Sequence, residues 1–297
     1  MEVTEPILKI YKGFSNKEVT HLMGHVLRRS TKPIEKVSRN PFKNMLQMIR
    51  RYRVKPASNE PMTLRAGDRQ YSLLSNPKGY FEFVIPTPDL RELTCTVSLN
   101  NYEIERHVEL EVRDPDVVVV SDIDDTILVS HSTSLLKKLY LLLTKNHERR
   151  KGFRGIKHFY EELLSQNGKL FYVSSSEWNL YDFLEDFMGY NEMPKGVFLL
   201  QDLKSGVLDL FRSGGGKHSH KIEKLQKLMK AYSRARFILV GDSGQKDPEI
   251  YHLVVKENPG RVKQVFIRDV KRSNRGKLKQ LAENFESEGV TFEILNK

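Results

Sequence analysis

From Asp116 onward, short apolar runs alternate with helical patterns, and no other feature constrains the fold of this chain as much. The runs are 117–120, 170–173, 197–200, 237–240, 262–267 and 290–295, and most are separated by helical stretches such as 178–188, 219–232 and 276–286. Strands buried on both faces read as unbroken apolar runs, and helical crossovers between them give a mainly parallel sheet with helices on both faces. In such sheets ligands bind beyond the carboxyl ends of the strands. An α/β domain is therefore expected over 114–297, opening at the turn Asp114-Pro115-Asp116.

Before that turn the pattern is different. Tyr80-Phe81-Glu82-Phe83-Val84-Ile85-Pro86 alternates after Asn76-Pro77-Lys78-Gly79, and 94–99 and 107–112 read as two further strands separated by Asn100-Asn101. Short strands with frequent turns predict a small, mainly-β, sandwich-like domain over 1–113. One segment interrupts it. Between Arg28 and Lys55 there are ten Lys or Arg against a single acid, Glu35, a surplus of nine within a chain whose net charge is +11. Within that block Phe42, Met45, Leu46 and Ile49 fall at helical spacing. Such a block is either a solvated loop or a docking surface for a polyanion: nucleic acid, an acidic protein or an anionic membrane.

Composition narrows the class. With 39% hydrophobic and 29% charged residues the chain reads as globular. Its longest apolar stretches, 117–120 and 135–143, fall short of the roughly 20 residues that span a bilayer. Glu2, Glu5, Lys9 and Lys12 interrupt the first fourteen residues, so no signal-peptide core is expected there. The single cysteine, Cys95, leaves no intrachain disulfide. The expectation is a cytoplasmic protein, with peripheral attachment to membranes open.

The chemistry is concentrated at strand ends. The first run leads into Ser121-Asp122-Ile123-Asp124-Asp125-Thr126. Three carboxylates in four residues repel one another unless a cation neutralises them, and Mg2+ does so while keeping positions for water and phosphate. Gly241-Asp242-Ser243-Gly244-Gln245-Lys246-Asp247 follows the run 237–240 and offers further ligands. Ser174 follows 170–173, where its hydroxyl could bind a phosphoryl oxygen. Lys221 opens a helix whose N-terminus adds positive potential.

These four elements, in this order, resemble the four motifs of the haloacid dehalogenase superfamily. The resemblance implies that Asp122 is the nucleophile and that Asp124 is the general acid and base. It implies Mg2+ held by Asp122, the Asp124 carbonyl and Asp242, with Asp247 ligating or supporting it. Ser174 and Lys221 would grip the phosphoryl group, Lys217 being the other lysine that could fill the third motif. A closer resemblance rests on Ser121-Asp-Ile-Asp-Asp-Thr-Ile127, Tyr172-Val-Ser-Ser-Ser-Glu-Trp-Asn-Leu-Tyr181, Gly241-Asp-Ser-Gly-Gln-Lys-Asp-Pro-Glu-Ile-Tyr251 and Ile267-Arg-Asp269. These strings are similar to the actin-patch-protein type of phosphatidate phosphatase, a fungal family with many bacterial relatives. Membership implies Mg2+-dependent hydrolysis of phosphatidate to diacylglycerol and phosphate.

Thr126, Ser175 and Arg268 are candidate substrate contacts; for Arg268-Asp269, at a strand end, a structural ion pair is at least as good a reading. Ser213-Gly-Gly-Gly-Lys217 lacks the first glycine and the final hydroxyl of a P-loop, so no nucleotide cofactor is expected. His218 and His220 read as solvated loop residues rather than a zinc site. The leucines of 135–143 are either a core helix or an apolar shoulder for acyl chains. Three functions stay open: a lipid-phosphate phosphatase, a phosphatase for a phosphorylated macromolecule, and a basic adaptor whose acidic site only binds metal.

Overall fold

The computed structural model describes residues 6–28, 43, 46, 50, 55–87, 92–99, 102–109, 111–127, 153, 155–203, 219–270 and 275–295. These form two compact units, one built on the strands before Asp114 and one on those after Pro115.

Among its described residues the first unit holds nine strands: β1 (Pro6–Ile10), β2 (Phe14–Ser15), β3 (Val19–Arg28), β4 (Lys55–Pro56), β5 (Pro61–Ala66), β6 (Arg69–Leu74), β7 (Tyr80–Pro86), β8 (Glu92–Leu99) and β9 (Tyr102–Glu109). The ten-residue β3 is the spine of one antiparallel sheet, pairing with β1, β2, β4 and β7. The other antiparallel sheet runs β6-β5-β8-β9. One apolar cluster draws Leu22, Val26, Phe81 and Phe83 from the first sheet and Met62, Leu64, Leu93 and Cys95 from the second. The turn into β7 closes as read from sequence: Gly79, at φ +71°, donates to the Asn76 carbonyl, and only glycine takes that conformation without strain. The hairpin after β8 corrects the expected boundaries. Its second strand starts at Tyr102 and not at His107, in register with Leu99. Glu103, Glu105 and Arg106 are exposed and hide the alternation, while Ile104 and Val108 pack on the core.

The second unit is a six-stranded parallel sheet of β10 (Val117–Ser121), β11 (Gly168–Glu177), β12 (Val197–Gln201), β13 (Arg236–Asp242), β14 (Val262–Arg268) and β15 (Thr291–Leu295). Its order is β12-β11-β10-β13-β14-β15. The helices are α1 (Ile156–Leu164), α2 (Tyr181–Tyr190, entered through a 3-10 turn Trp178–Leu180), α3 (Ser219–Ala231), α4 (Asp247–Glu257) and α5 (Arg275–Ser287). Every residue of β10 is buried, as a central parallel strand requires. The chain moves outward through β11 and β12, then returns to the other side of β10 for β13. That reversal opens a crevice beyond the carboxyl ends of β10 and β13.

Of the basic block, Lys43, Leu46 and Arg50 are helical and Leu46 is exposed; Phe42, Met45 and Ile49 lie outside the described residues. So do 135–143, Lys217 and His218. No described helix is long and apolar enough to cross a membrane.

Candidate active site

The crevice is lined from two strand ends. Asp122 continues the β10 ladder by one residue, its N–H donating to the Val240 carbonyl of β13 at 2.8 Å. The chain then turns on Ile123, whose carbonyl accepts from the Thr126 and Ile127 amides, with Asp125 in the left-handed region at φ +59°. From beneath, Tyr160 of α1 meets Ser121 Oγ at 2.5 Å, and Ser121 Oγ donates to the Asp122 carbonyl at 2.6 Å. The main chain carrying Asp122 is thus tied to the sheet and to α1.

Across the crevice, β13 ends in Gly241-Asp242. A Cβ at Gly241 would meet Asp247 Oδ2 at 2.5 Å and the Tyr251 ring at 2.9 Å, so only glycine lets α4 start this close to the strand. Through this approach Asp122, Asp242 and Asp247, all buried, bring carboxylate oxygens within 4.8 Å of one another. Lys221 of α3 spans two of them, its Nζ 3.0 Å from Asp122 Oδ1 and 2.5 Å from Asp247 Oδ1. Asp247 Oδ2 accepts from the Asp242 amide at 3.3 Å.

One lysine does not balance this charge. Burial, opposed by Lys221 and reinforced by Asp247 and Asp124, pushes the Asp122 carboxyl up to about 7. Burial, then Asp247 and Asp122, pushes Asp242 up to about 9. Burial alone would discharge Lys221, but Asp122 and Asp247 hold its ammonium above the usual lysine range. Asp122 Oδ2 is buried with no hydrogen-bond partner among the described residues. Clustered, destabilised carboxylates with a bare oxygen fit a hard divalent cation with oxygen ligands.

The other expected residues gather around this centre. Asp124 Oδ2 accepts from Ser176 Oγ at 3.0 Å, and the Ser176 amide donates to Ser174 Oγ, also at 3.0 Å. Ser174 is buried, whereas Ser175 is exposed. Thr126 Oγ1 is buried without a hydrogen-bond partner among the described residues. Arg268, only 6% exposed, donates through Nε to the Thr126 carbonyl at 3.0 Å and stacks on Phe153 at 4.0 Å. Three contributors escaped the sequence reading: Ser176, Tyr160 and Gln245. Gln245 Nε2 lies 3.2 Å from Asp242 Oδ2 and 3.5 Å from the Asp124 carbonyl. Only its place between two motif aspartates could have flagged it.

Residues 117–269 match the family model described as the catalytic domain of phosphatidate phosphatase APP1. The chain is 26% identical over 151 residues to phosphatidate phosphatase APP1 of Saccharomyces cerevisiae, covering 50% of this chain and 25% of that protein. It is 24% identical over 225 residues to an uncharacterized protein of Schizosaccharomyces pombe, covering 71% of this chain and 36% of that protein. The chain thus spans about a quarter and about a third of these relatives' lengths. Among solved structures, a carbohydrate acetylesterase from Xanthomonas citri superposes with a TM-score of 0.34 at 8% identity, over 98% of this chain and 68% of that one. A superposition that loose carries no argument about fold or activity.

Proposed function

The chain belongs to the family of the phosphatidate phosphatase APP1 catalytic domain, and we propose that it hydrolyses a lipid phosphate, with phosphatidate as the first candidate, through an aspartyl-phosphate on Asp122. The observation that carries this is the pairing of Asp122 with Lys221 inside a buried aspartate cluster at the switch point of a parallel sheet. The order of elements, D-x-D-x-T, strand-end Ser174, helical Lys221 and G-D-x-x-x-x-D, supports a mechanism of the haloacid dehalogenase type.

A carboxylate oxygen of Asp122 bonds to phosphorus as the bond from phosphorus to the glycerol oxygen breaks. Asp124, protonated, gives its proton to that departing oxygen, which leaves as the hydroxyl of diacylglycerol. Asp124, now a carboxylate, takes a proton from water as the water oxygen bonds to phosphorus. The bond to Asp122 then breaks, phosphate leaves and Asp122 is restored. Ser176 holds the Asp124 carboxyl in place through both steps. Ser174 and Lys221 hold the phosphoryl oxygens, and Asp247 holds Lys221. Mg2+, carried by Asp122, Asp242 and the Asp124 carbonyl, would supply neutralisation of charge on the phosphoryl group.

Phosphate release from phosphatidate, other lipid phosphates, nucleotides and phosphopeptides, with Mg2+ and with EDTA, tests the reading. Release that needs Mg2+ and favours phosphatidate supports it; full activity in metal-free buffer sinks it. A preference for phosphopeptides or nucleic-acid ends would favour the second reading, a phosphatase for a macromolecule, which the basic residues between Arg28 and Lys55 suit equally well. On the lipid reading those cations dock the protein on an anionic membrane, each contributing about 1 kcal/mol near the surface.

A further inference from the structure

Gln245 sits where the two acidic turns meet. Its backbone amide donates to Asp242 Oδ1 at 3.0 Å, and the Gly244 amide donates to the same oxygen at 2.6 Å. Oδ1 therefore has both lone pairs engaged. The Gln245 side chain takes the other oxygen: Nε2 lies 3.2 Å from Asp242 Oδ2 and 3.5 Å from the carbonyl oxygen of Asp124. A carboxamide nitrogen has two hydrogens, one for each acceptor. The acceptors belong to residues 118 positions apart by their numbers, and this single side chain bridges them.

We propose that Gln245 is the positioning residue of the metal centre: its carboxamide sets the separation between the Asp242 carboxylate and the Asp124 carbonyl, and so the affinity of the site for a divalent cation. The proposal rests on the reading that these two oxygens, with Asp122, hold the ion. The chemistry suits the task. Oδ2 keeps a second lone pair for a cation while accepting one N–H, and a neutral amide adds no charge to repel the ion. A lysine there would occupy the site, and an acid would add a further carboxylate to the three that already crowd together, Asp122, Asp242 and Asp247. Outer-shell donors of this kind typically change metal affinity by about 10–100-fold when removed.

The experiment is titration calorimetry of the full chain with Mg2+, comparing wild type with Gln245→Met, which keeps the length but has no donor, and Gln245→Ala. Circular dichroism in EDTA checks that each variant is folded. The dissociation constant for Mg2+ should rise about 10–100-fold in both variants. An unchanged constant in a folded variant overturns the proposal, and so does a lower one, which would mean that the amide competes with the ion. Asp242→Asn separates this failure from failure of the metal reading. If Asp242→Asn abolishes the Mg2+ heat and Gln245→Met leaves the constant unchanged, the metal centre stands and the role of Gln245 falls. If wild type gives no Mg2+ heat at all, both fall.

Discussion

The two units bury ionisable groups in different settings: burial favours the neutral form in both, but in the second it acts on carboxylates crowded together. In the antiparallel unit two of them, His25 and Cys95, sit as neutral groups. His25, desolvated and facing Lys9, is lowered to about 3, so it is neutral at physiological pH beside the Tyr11 hydroxyl at 2.8 Å. Burial pushes the Cys95 thiol up to about 12, so it too is neutral within the apolar cluster. In the parallel unit three buried aspartates crowd one lysine, and Asp122 and Asp242 are left at about 7 and about 9. A neutral imidazole or thiol fills space. Carboxyls crowded beside one lysine are placed to bind a cation, move a proton or attack.

If this contrast is right, substitutions in the two units should separate activity from stability. The largest effect should come from Asp122→Asn or Asp124→Asn. Each keeps the volume and removes a reacting carboxylate, so turnover at saturating Mg2+ should fall at least about a thousand-fold, with the fold intact by circular dichroism. His25→Leu and Cys95→Ser should instead leave turnover close to wild type and lower the melting temperature. Near-normal turnover in either aspartate variant would remove the distinction.

Lys221→Met should strike both properties. It leaves Asp122 and Asp247 without their shared cation, and breaking a buried pair from one side costs about 3–5 kcal/mol. Denaturant unfolding in EDTA should show that loss, and Mg2+ should restore part of it. A variant as stable as wild type in EDTA would mean that the lysine is not needed to hold the cluster.

The pH dependence of stability sharpens the comparison further. A carboxyl raised in the folded state stabilises the fold below its unfolded value, near 4, and that contribution is lost as pH rises through the folded value. Asp122 and Asp242 should therefore make the protein in EDTA steadily less stable between about pH 4 and pH 9, by several kcal/mol. Mg2+ should flatten the profile, because the ion favours the charged forms. His25 works against this trend only at low pH: its pKa is lowered, so it destabilises the fold below about pH 6.5 and increasingly down to about 3. Thermal unfolding across this range, with and without Mg2+, measures both. A flat profile in EDTA would mean that the aspartates are not destabilised by burial.

What could be read in the sequence follows from the range of each interaction. The acidic turns are legible because their carboxylates are neighbours in the chain and follow fully apolar strands. Ser176 and Gln245 are less so, since each also has a partner far along the chain, Asp124, 52 and 121 residues away, and a triple serine or a lone glutamine does not point to it. β3 escaped because Thr20, His21 and His25 are buried polar residues, which blurs its alternation. α4 was hidden by its own start: Asp247-Pro248-Glu249 reads as the tail of an acidic motif, although proline and acids in a first turn are equally a helix N-terminus.

The smallest expected effect makes the same atomic change in each unit. Tyr160 and Tyr11 are both buried tyrosines whose hydroxyls meet a polar side chain, Ser121 Oγ at 2.5 Å and His25 Nδ1 at 2.8 Å. Replacing either with Phe should cost about 1–2 kcal/mol of stability, the usual loss when a buried partner is removed. What differs is the next atom along. Ser121 Oγ donates to the carbonyl of Asp122, so loosening it lets the nucleophile's main chain shift, and a small misplacement of a reacting group is costly. His25 contacts Tyr11 and Tyr80, neither of them a reacting group. Tyr160→Phe should therefore lower kcat about tenfold, the equivalent of about 1.4 kcal/mol in the barrier, while Tyr11→Phe leaves kcat unchanged. Steady-state kinetics on both, at matched stability above the working temperature, decides it. If the two variants lose the same stability and neither changes kcat, the Tyr160–Ser121 pair is packing, and the contrast between the units stops at the aspartates.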